Sequence, residues 1–513
     1  MTQSKTYDYI IIGGSPSGCV AAHRLTEDHS VSVLLLEAGG PDQRPEIHNP
    51  AAVLSLWGSE VDWNYASEEE TYLGGRRLPL NRGKVLGGGS AIHAMIYIRG
   101  HRLDYDHWNY RGNEGWSFDE VLPFFKKSED YEGGASEYHG AGGPLSVCDY
   151  ATPSPAALAI VDAGVELGFR GGRDWDFNTG DTADSAGIYQ FNLTRDGKRS
   201  SGASAFLTPV LGRSNLKVET FAQAARLVMD NGRVKAVEYW KDGSSQEAAV
   251  AREVILAAGT FESPKLLMLS GIGPAAHLRA MGIPPVVDLP GVGQNLQDHL
   301  RLPLHFDCVK EQPVPLFLAE AGVLVHTREG LPAAAPDLQI NFNATNPVTL
   351  PPDYPGRGPG VTFMSILVRP QSRGSVTLRS NRPQDPPVIR GNFLQCEADI
   401  RVQMRGIEIC RELIHAKAFR DFQGGEALPG ARKTERELRD YIRNDIWTIW
   451  HPVGTCKMGL DAQAVVDPRL RVHGVDGLRV ADASIMPADV SANTCAAAYM
   501  IGEKAVEMIR QDL

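Results

Sequence analysis

Short unbroken apolar runs, set off by glycine turns, dominate the hydrophobic pattern of this chain. Tyr7–Ile12 (YDYIII) and Val31–Leu36 (VSVLLL) are of this kind, and such runs fit strands buried on both faces of a parallel sheet. Between them, Gly13-Gly14-Ser15-Pro16-Ser17-Gly18 leads into Cys19–Leu25, whose small residues predict a helix packed closely on that sheet. Val254–Ala258 repeats the strand pattern; Ser263-Pro264 predicts a helix start after it, and Gly271 and Gly273 its end. Lys217–Ala225 with Arg226–Val228 reads as one further strand. Leu338–Phe342, Val361–Val368 and Gly374–Leu378 alternate apolar with polar, the pattern of half-buried strands. Gln312–Pro315 and Leu350–Pro359 are proline-rich and read as loops. Thr494–Arg510 carries small and apolar residues at helical spacing, with Asn493 placed as its N-cap.

The first of these segments has a chemical meaning. Strand, glycine turn, helix, strand, with Glu37 closing the second strand, is the order of a dinucleotide-binding βαβ unit. Its turn lets backbone N–H groups and a helix N-terminus meet a pyrophosphate. Glu37 follows the glycines by about 20 residues, where an acid accepts hydrogen bonds from ribose hydroxyls. Ser15 departs from the pattern, because the middle position of GxGxxG is ordinarily glycine. The motif alone separates neither FAD from NAD nor a nucleotide site from a plain tight turn.

Composition narrows the classes. The 513 residues suit several core units at roughly 150 residues each. A net charge of -11 without basic runs argues against nucleic acid and against an anionic membrane surface. No apolar stretch is long enough for a membrane span and the N-terminus has no secretory core, so none is expected. The seven cysteines are scattered without a CxxC pair; a reducing cytoplasm, no disulfide framework and no metal site are expected.

Two further glycine-rich segments decide the cofactor. Arg82–Met95 reads RGKVLGGGSAIHAM and Gly259–Gly273 reads GTFESPKLLMLSGIG. Together with Asp62–Tyr65, Pro290–His299, His451–Gly459 and Asp482–Pro487, in this order, they make the chain resemble the glucose–methanol–choline (GMC) oxidoreductases over essentially its whole length, in the manner of choline dehydrogenases and aryl-alcohol oxidases. The resemblance implies FAD. It implies non-covalent attachment, since Ile92 stands where some relatives carry a flavin-linked histidine. The residues it implies around FAD are Gly13, Gly14, Ser15, Ser17, Gly18, Glu37 and Ala38 from the first unit. From the second glycine-rich segment come Gly83, Leu86, Gly87, Gly89, Ser90, His93, Ala94, Met95 and Ile96. Ala224, Ala258, Gly259, Asp482, Ala483, Asn493 and Thr494 complete the set, with Ala224 near the adenine and Asp482 near the ribityl and phosphate region.

The implied fold is α/β: a discontinuous Rossmann-like FAD domain (1–150, 200–305 and 440–513) and an α+β substrate domain (151–199 and 306–439), whose antiparallel sheet roofs the flavin. The implied chemistry is oxidation of a primary alcohol, aromatic ones included, to its aldehyde. An alcohol gives up hydride poorly while it keeps its O–H proton, and histidine is the base suited to neutral pH. The resemblance selects His451, flanked by Trp447 and Trp450, with Asn493 beside it holding the substrate oxygen; Trp450, His451 and Asn493 are the expected substrate contacts. O2 or a quinone-type acceptor reoxidises the flavin. Hydroxynitrile lyase-type activity and light-driven decarboxylation occur on the same scaffold and are the alternatives.

Overall fold

The computed structural model describes residues 5–328, 335–345, 359–430, 432 and 434–512. The elements that position the site are, in chain order, β1 (Thr6–Ile12), α1 (Pro16–Leu25), β2 (Val33–Leu36), α2 (Pro155–Glu166), β3 (Arg170–Gly171), β4 (Ser185–Ile188), β5 (Leu216–Glu219), β6 (Gln223–Asp230), β7 (Arg233–Lys241), β8 (Ser244–Leu256), α3 (Gly259–Leu269), β9 (Leu300–Cys308), β10 (Ala321–Val325), β11 (Leu338–Asn343), β12 (Gly360–Leu367), α4 (Glu397–His415), β13 (Gln423–Leu428), β14 (Trp447–Thr448), β15 (Leu478–Val480) and α5 (Cys495–Gln511).

A seven-stranded sheet runs in the order β5-β2-β1-β8-β7-β6, with β15 also pairing β8. β5, β2, β1, β8 and β15 are parallel; β7 and β6 continue as an antiparallel extension. The apolar runs of β1 and β2 lie in its interior, as their lack of alternation requires. Gly18 is needed because a Cβ there would sit 2.0 Å from the Gly13 carbonyl oxygen, so α1 could not close on the turn. Gly502 does the same where α5 crosses α1: its Cβ would meet Ser17 backbone at 2.9 Å.

Two expectations about this sheet are corrected. The predicted single strand from Lys217 to Val228 is two, β5 and β6. Phe221 between them takes φ 54° and its N–H donates to Gly39 O, while Ala222 N–H donates to Glu37 O, so the chain turns around the end of β2. The helix expected to begin at Ser263-Pro264 begins at Gly259, leaving Pro264 inside α3. Proline cannot donate to the Thr260 carbonyl, and the Thr455 hydroxyl takes that acceptor instead, at 2.6 Å.

The second sheet has eight strands in the order β13-β9-β12-β11-β10-β4-β3, with β14 pairing β9, and is antiparallel except at β3–β4. β9 runs across the expected boundary at residue 305, and β14, from the segment after residue 440, pairs with it. One face carries Leu300, Leu302, Leu304, Leu338, Ile340, Phe342 and Phe363 against α2 and α4. The other carries Arg301, His305, Gln339, Asn341, Asn343, Thr362 and Met364, opposite one another in register. Alternation predicted half-buried strands, yet β11 is buried throughout, because its polar face covers an internal cavity and not solvent. The segment from Gly374 to Leu378 lies outside this sheet: Ser375–Thr377 forms a two-stranded ladder with Val388–Arg390. Of the predicted Leu350–Pro359 loop, residues 350–358 lie outside the described residues. Among the described residues no helix is long and apolar enough to cross a membrane.

Candidate active site

A cavity of about 490 Å³ runs between the two sheets, from the carboxyl ends of β1 and β2 to the polar face of the second sheet. At its first end lie Gly13, Ser15, Ser17, Glu37, Ala38 and Ala224. Gly13 takes φ 105°, and a Cβ there would strike Ala257 O at 2.4 Å, so glycine is obligatory. Ser15 is compatible with the turn because its backbone is extended (φ -72°); its hydroxyl caps α1 by accepting from Gly18 N–H at 3.3 Å, and Pro16 occupies the first helical position. Glu37 is 6% exposed and accepts N–H groups from Gly14 at 2.8 Å and Gly39 at 2.7 Å. Burial pushes its carboxyl up to about 7. Ribose hydroxyls donating to this carboxylate would supply the compensation that burial demands, which fits an adenosine at this end.

Midway, Gly83, Gly89, Ser90, Ala258, Gly259, Asp482 and Ala483 line the wall. Asp482 is 2% exposed and clamps the start of α3, accepting from Gly259 N–H at 2.8 Å and Ser263 Oγ at 2.6 Å. A side chain on Gly259 would project into open space (φ 84°), leaving backbone free to approach a phosphate.

At the far end are His93, Ala94, Met95, Ile96, Trp450, His451, Asn493 and Thr494. His93 Nδ1 accepts from Met95 N–H at 3.1 Å and from Arg199 at 3.0 Å. Its Nε2 therefore carries the proton, and that buried atom has no partner in the protein. Burial holds the ring at a pKa of about 3, so it is neutral. A buried donor with no protein partner in the cavity wall is what a heterocyclic cofactor with ring acceptors would satisfy. Four expected contacts, Gly14, Gly18, Leu86 and Gly87, do not line the cavity. They act behind it: Gly14 N–H holds Glu37, Gly18 lets α1 approach, Leu86 packs against Gly14, and Gly87 N–H donates to Gly14 O at 2.7 Å.

His451 is held from three sides. Its N–H donates to Asp298 Oδ1 at 2.8 Å. Trp450, at φ 62°, is a bulky residue in the left-handed region; its carbonyl accepts from Arg82 at 2.7 Å and its indole donates to Pro79 O at 2.9 Å. A two-bond bridge between Gln297 and Val453 ties the two histidine segments together. His451 Nδ1 then meets His299 Nδ1 at 3.0 Å, and Nε2 meets the Asn493 amide nitrogen at 3.3 Å. His299 Nε2 lies 3.1 Å from Asp489 Oδ2, in ion-pair range though without the alignment of a full hydrogen bond. Burial drives the His451 pKa well below the ordinary histidine value, with His299, Arg82 and His93 adding to the effect. Burial and the neighbouring Asp298 carboxylate drive Asp489 well upward. Asn493 is thus not the helix cap that its sequence context predicts. Thr494 holds that position, and Asn493 faces the imidazole.

Comparison with known proteins gives the family. The GMC oxidoreductase N-terminal model matches residues 7–301 and the C-terminal model residues 370–502. The chain belongs to the GMC oxidoreductase family. This GMC oxidoreductase is 40% identical to a protein of Brucella canis named oxygen-dependent choline dehydrogenase, over 98% of this chain and 95% of that one. Pyridoxine 4-oxidase from Mesorbium loti has the same fold at a TM-score of 0.91 with 34% identity, covering 98% of this chain and 99% of its own. The formate oxidase of Aspergillus oryzae RIB40 also reaches 0.91, at 28% identity, covering 100% of this chain and 99% of its own. The enzyme is an FAD-dependent oxidoreductase acting on CH–OH donors.

The sequence pattern missed four residues of this GMC oxidoreductase's site. His299 and Arg82 were visible only as parts of motifs, with no role attached; Asp489 and Arg301 carried no local signal. All four reach the site by long-range packing.

Proposed function

We propose that the enzyme oxidises a primary alcohol to the aldehyde, with Nε2 of His451 taking the hydroxyl proton. The observation that supports this is the chain of contacts along Asn493, His451, His299 and Asp489. Two Nδ1 atoms in contact can share only one proton. The Asn493 amide beside His451 Nε2 and the Asp489 carboxylate beside His299 Nε2 both favour that proton on His451. Nε2 is then an acceptor at the cavity wall. When it takes the substrate proton, the positive charge can pass by the Nδ1 contact to His299, beside the Asp489 carboxylate. Asn493 cannot act as a base, and its buried Oδ1, which has no protein partner, is placed to fix the substrate hydroxyl.

FAD, when bound, supplies the hydride acceptor, its N5. Glu37 would hold the ribose, the Gly13–Ser17 turn the pyrophosphate, Asp482 and Gly259 the middle, Ala224 the adenine, and His93–Ile96 with Thr494 the ring system, without a covalent link. O2 or a quinone-type compound would accept the electrons; the names of relatives, oxygen-dependent choline dehydrogenase and pyridoxine 4-oxidase, support O2. Seven free cysteines, five of them buried, fit a reducing compartment such as the cytoplasm. Anaerobic mixing of the yellow holoenzyme with a panel of primary alcohols should bleach the flavin, and air should then yield peroxide. Turnover of a cyanohydrin without bleaching would instead favour the lyase reading. Decarboxylation that depends on light would favour the third, against which His451 argues.

A pH profile follows from the depressed pKa. Only neutral His451 accepts a proton, and burial, His299, Arg82 and His93 all favour the neutral form, with Asp298 held at its backbone N–H. The rate of flavin reduction should therefore be level from pH 6.5 upward and fall only on further acidification. An acid limb with its midpoint above 6.5 would contradict the assignment.

A further inference from the structure

The polar face of the second sheet carries one cation without an anion. Arg301, on β9, reaches the cavity beside Trp447, Trp450 and Met364. Its Nε donates to Thr448 O at a long 3.3 Å, Nη1 lies 3.6 Å from Met364 Sδ, and the guanidinium sits 5.6 Å from the Trp450 ring centre. Among the described residues it has no carboxylate within ion-pair distance. Burial pushes it down to about 10 with no acid opposing the shift, so it stays charged at neutral pH.

Arginines that are fully buried elsewhere are compensated. Arg99 pairs with Glu129 at 2.8 Å, and Arg479 with Glu253 at 2.6 Å. Arg199, which has no acid either, donates to the carbonyls of Ile47, Ser90 and His93. Arg301 has one weak carbonyl contact and a thioether for a five-donor fork. Trp450 offers its ring face to the guanidinium, and Nη2 has no contact given to it by Thr448 or Met364. The acids that line the cavity are occupied elsewhere: Glu262 by Lys265 and Tyr65, Glu37 by backbone amides, Asp482 by α3. The substrate end is therefore cationic. Arg301 is half-buried because the cavity exposes it; a ligand that fills the cavity would desolvate it, and a ligand anion is the group that offsets that cost.

We propose that Arg301 is a substrate-binding residue and that the alcohol this enzyme oxidises carries a carboxylate, seated bidentately on the guanidinium while its hydroxymethyl group meets His451. A carboxylate matches the open edge of one guanidinium. The flanking Trp57, Trp447 and Trp450 suit a short apolar or aromatic spacer. A quaternary ammonium alcohol is disfavoured at this position, although curated relatives are named for choline. This inference rests on the alcohol-oxidation reading above.

The test uses holoenzyme, wild type, Arg301→Gln and Arg301→Lys, with 4-(hydroxymethyl)benzoate, 4-(hydroxymethyl)phenyl phosphate, benzyl alcohol and choline, scored by anaerobic flavin reduction. 4-Methylbenzoate, which lacks the hydroxyl, is titrated in parallel by its perturbation of the flavin spectrum. The carboxylate should outpace benzyl alcohol and choline in the wild type. Arg301→Gln should weaken both the carboxylate alcohol and 4-methylbenzoate by about 10- to 100-fold, in KM or Kd more than in kcat, and lower the ratio of carboxylate alcohol to benzyl alcohol accordingly. Arg301→Lys should restore part of the preference, which a purely structural role would not do, and it serves if the glutamine variant fails to hold FAD. Choline or benzyl alcohol matching the carboxylate in the wild type would overturn the proposal, as would an equal loss for every substrate; a preference for the phosphate would replace carboxylate by phosphate. If 4-methylbenzoate binds through Arg301 and no alcohol bleaches the flavin, the anion site stands and the oxidation reading fails.

Discussion

Replacing His451 by alanine is expected to slow flavin reduction by alcohol about 10²- to 10⁴-fold, the usual contribution of a positioned base. The imidazole Nε2 sits at the cavity wall beside Asn493, and no other group there is both neutral and basic: His93 Nε2 carries a proton, and Arg82 and Arg301 are cations. FAD should stay bound, since the Glu37 end of the cavity is untouched and His451 is held to the frame by its own backbone N–H. The measurement is anaerobic stopped-flow at the flavin absorbance, with the bound FAD content determined on the same sample. Added imidazole should restore part of the rate. A variant that is reduced as fast as the wild type would remove His451 from the mechanism.

The second large effect is expected at Asp489, which does not line the cavity. Asparagine in its place can donate to His299 Nε2, moving the His299 proton to Nδ1. His451 Nδ1 must then accept, its own proton is forced onto Nε2, and the base is blocked although every atom is in place. A tautomer fault of this kind costs catalysis roughly 10²-fold or more. Asp489 is fully buried beside Asp298, so the variant should lose no stability from unpaired charge, and its melting temperature and flavin spectrum should stay near wild type. The diagnostic is the combination: slow reduction with normal FAD content and normal affinity for 4-methylbenzoate. Reduction at wild-type speed in Asp489→Asn would show that the chain behind His451 carries no proton.

The parts legible in the sequence are those whose cause is local. Apolar runs without alternation marked β1, β2 and β8 as interior strands, because burial on both faces leaves no polar position to keep. The glycine turn and Glu37 could be read because a tight backbone approach tolerates few residues at each step. Where local signals failed, a distant contact had decided. Pro264 lies within α3 because Thr455, far along the chain, supplies the missing donor. Asn493 reads as a cap by itself and becomes the partner of His451 only because α5 is docked on α1 through Gly502. Alternation in β11 was correctly seen as two environments, but periodicity cannot tell an internal cavity from solvent.

The sequence by itself determined the nucleotide-binding unit, the family and the two residues proposed to meet the substrate, since each is written in contiguous residues whose spacing the backbone geometry constrains. Only the tertiary structure decided which groups surround those two residues, and so which protons and which substrate charge are proposed for the site. Asp489, His299 and His451 are brought together by the Gln297–Val453 bridge, and Arg301 is aimed at the cavity by the register of β9 against β12. Protonation and charge compensation depend on which groups lie a few ångströms apart in a water-poor interior, and residues hundreds of positions apart become neighbours only when the sheets close.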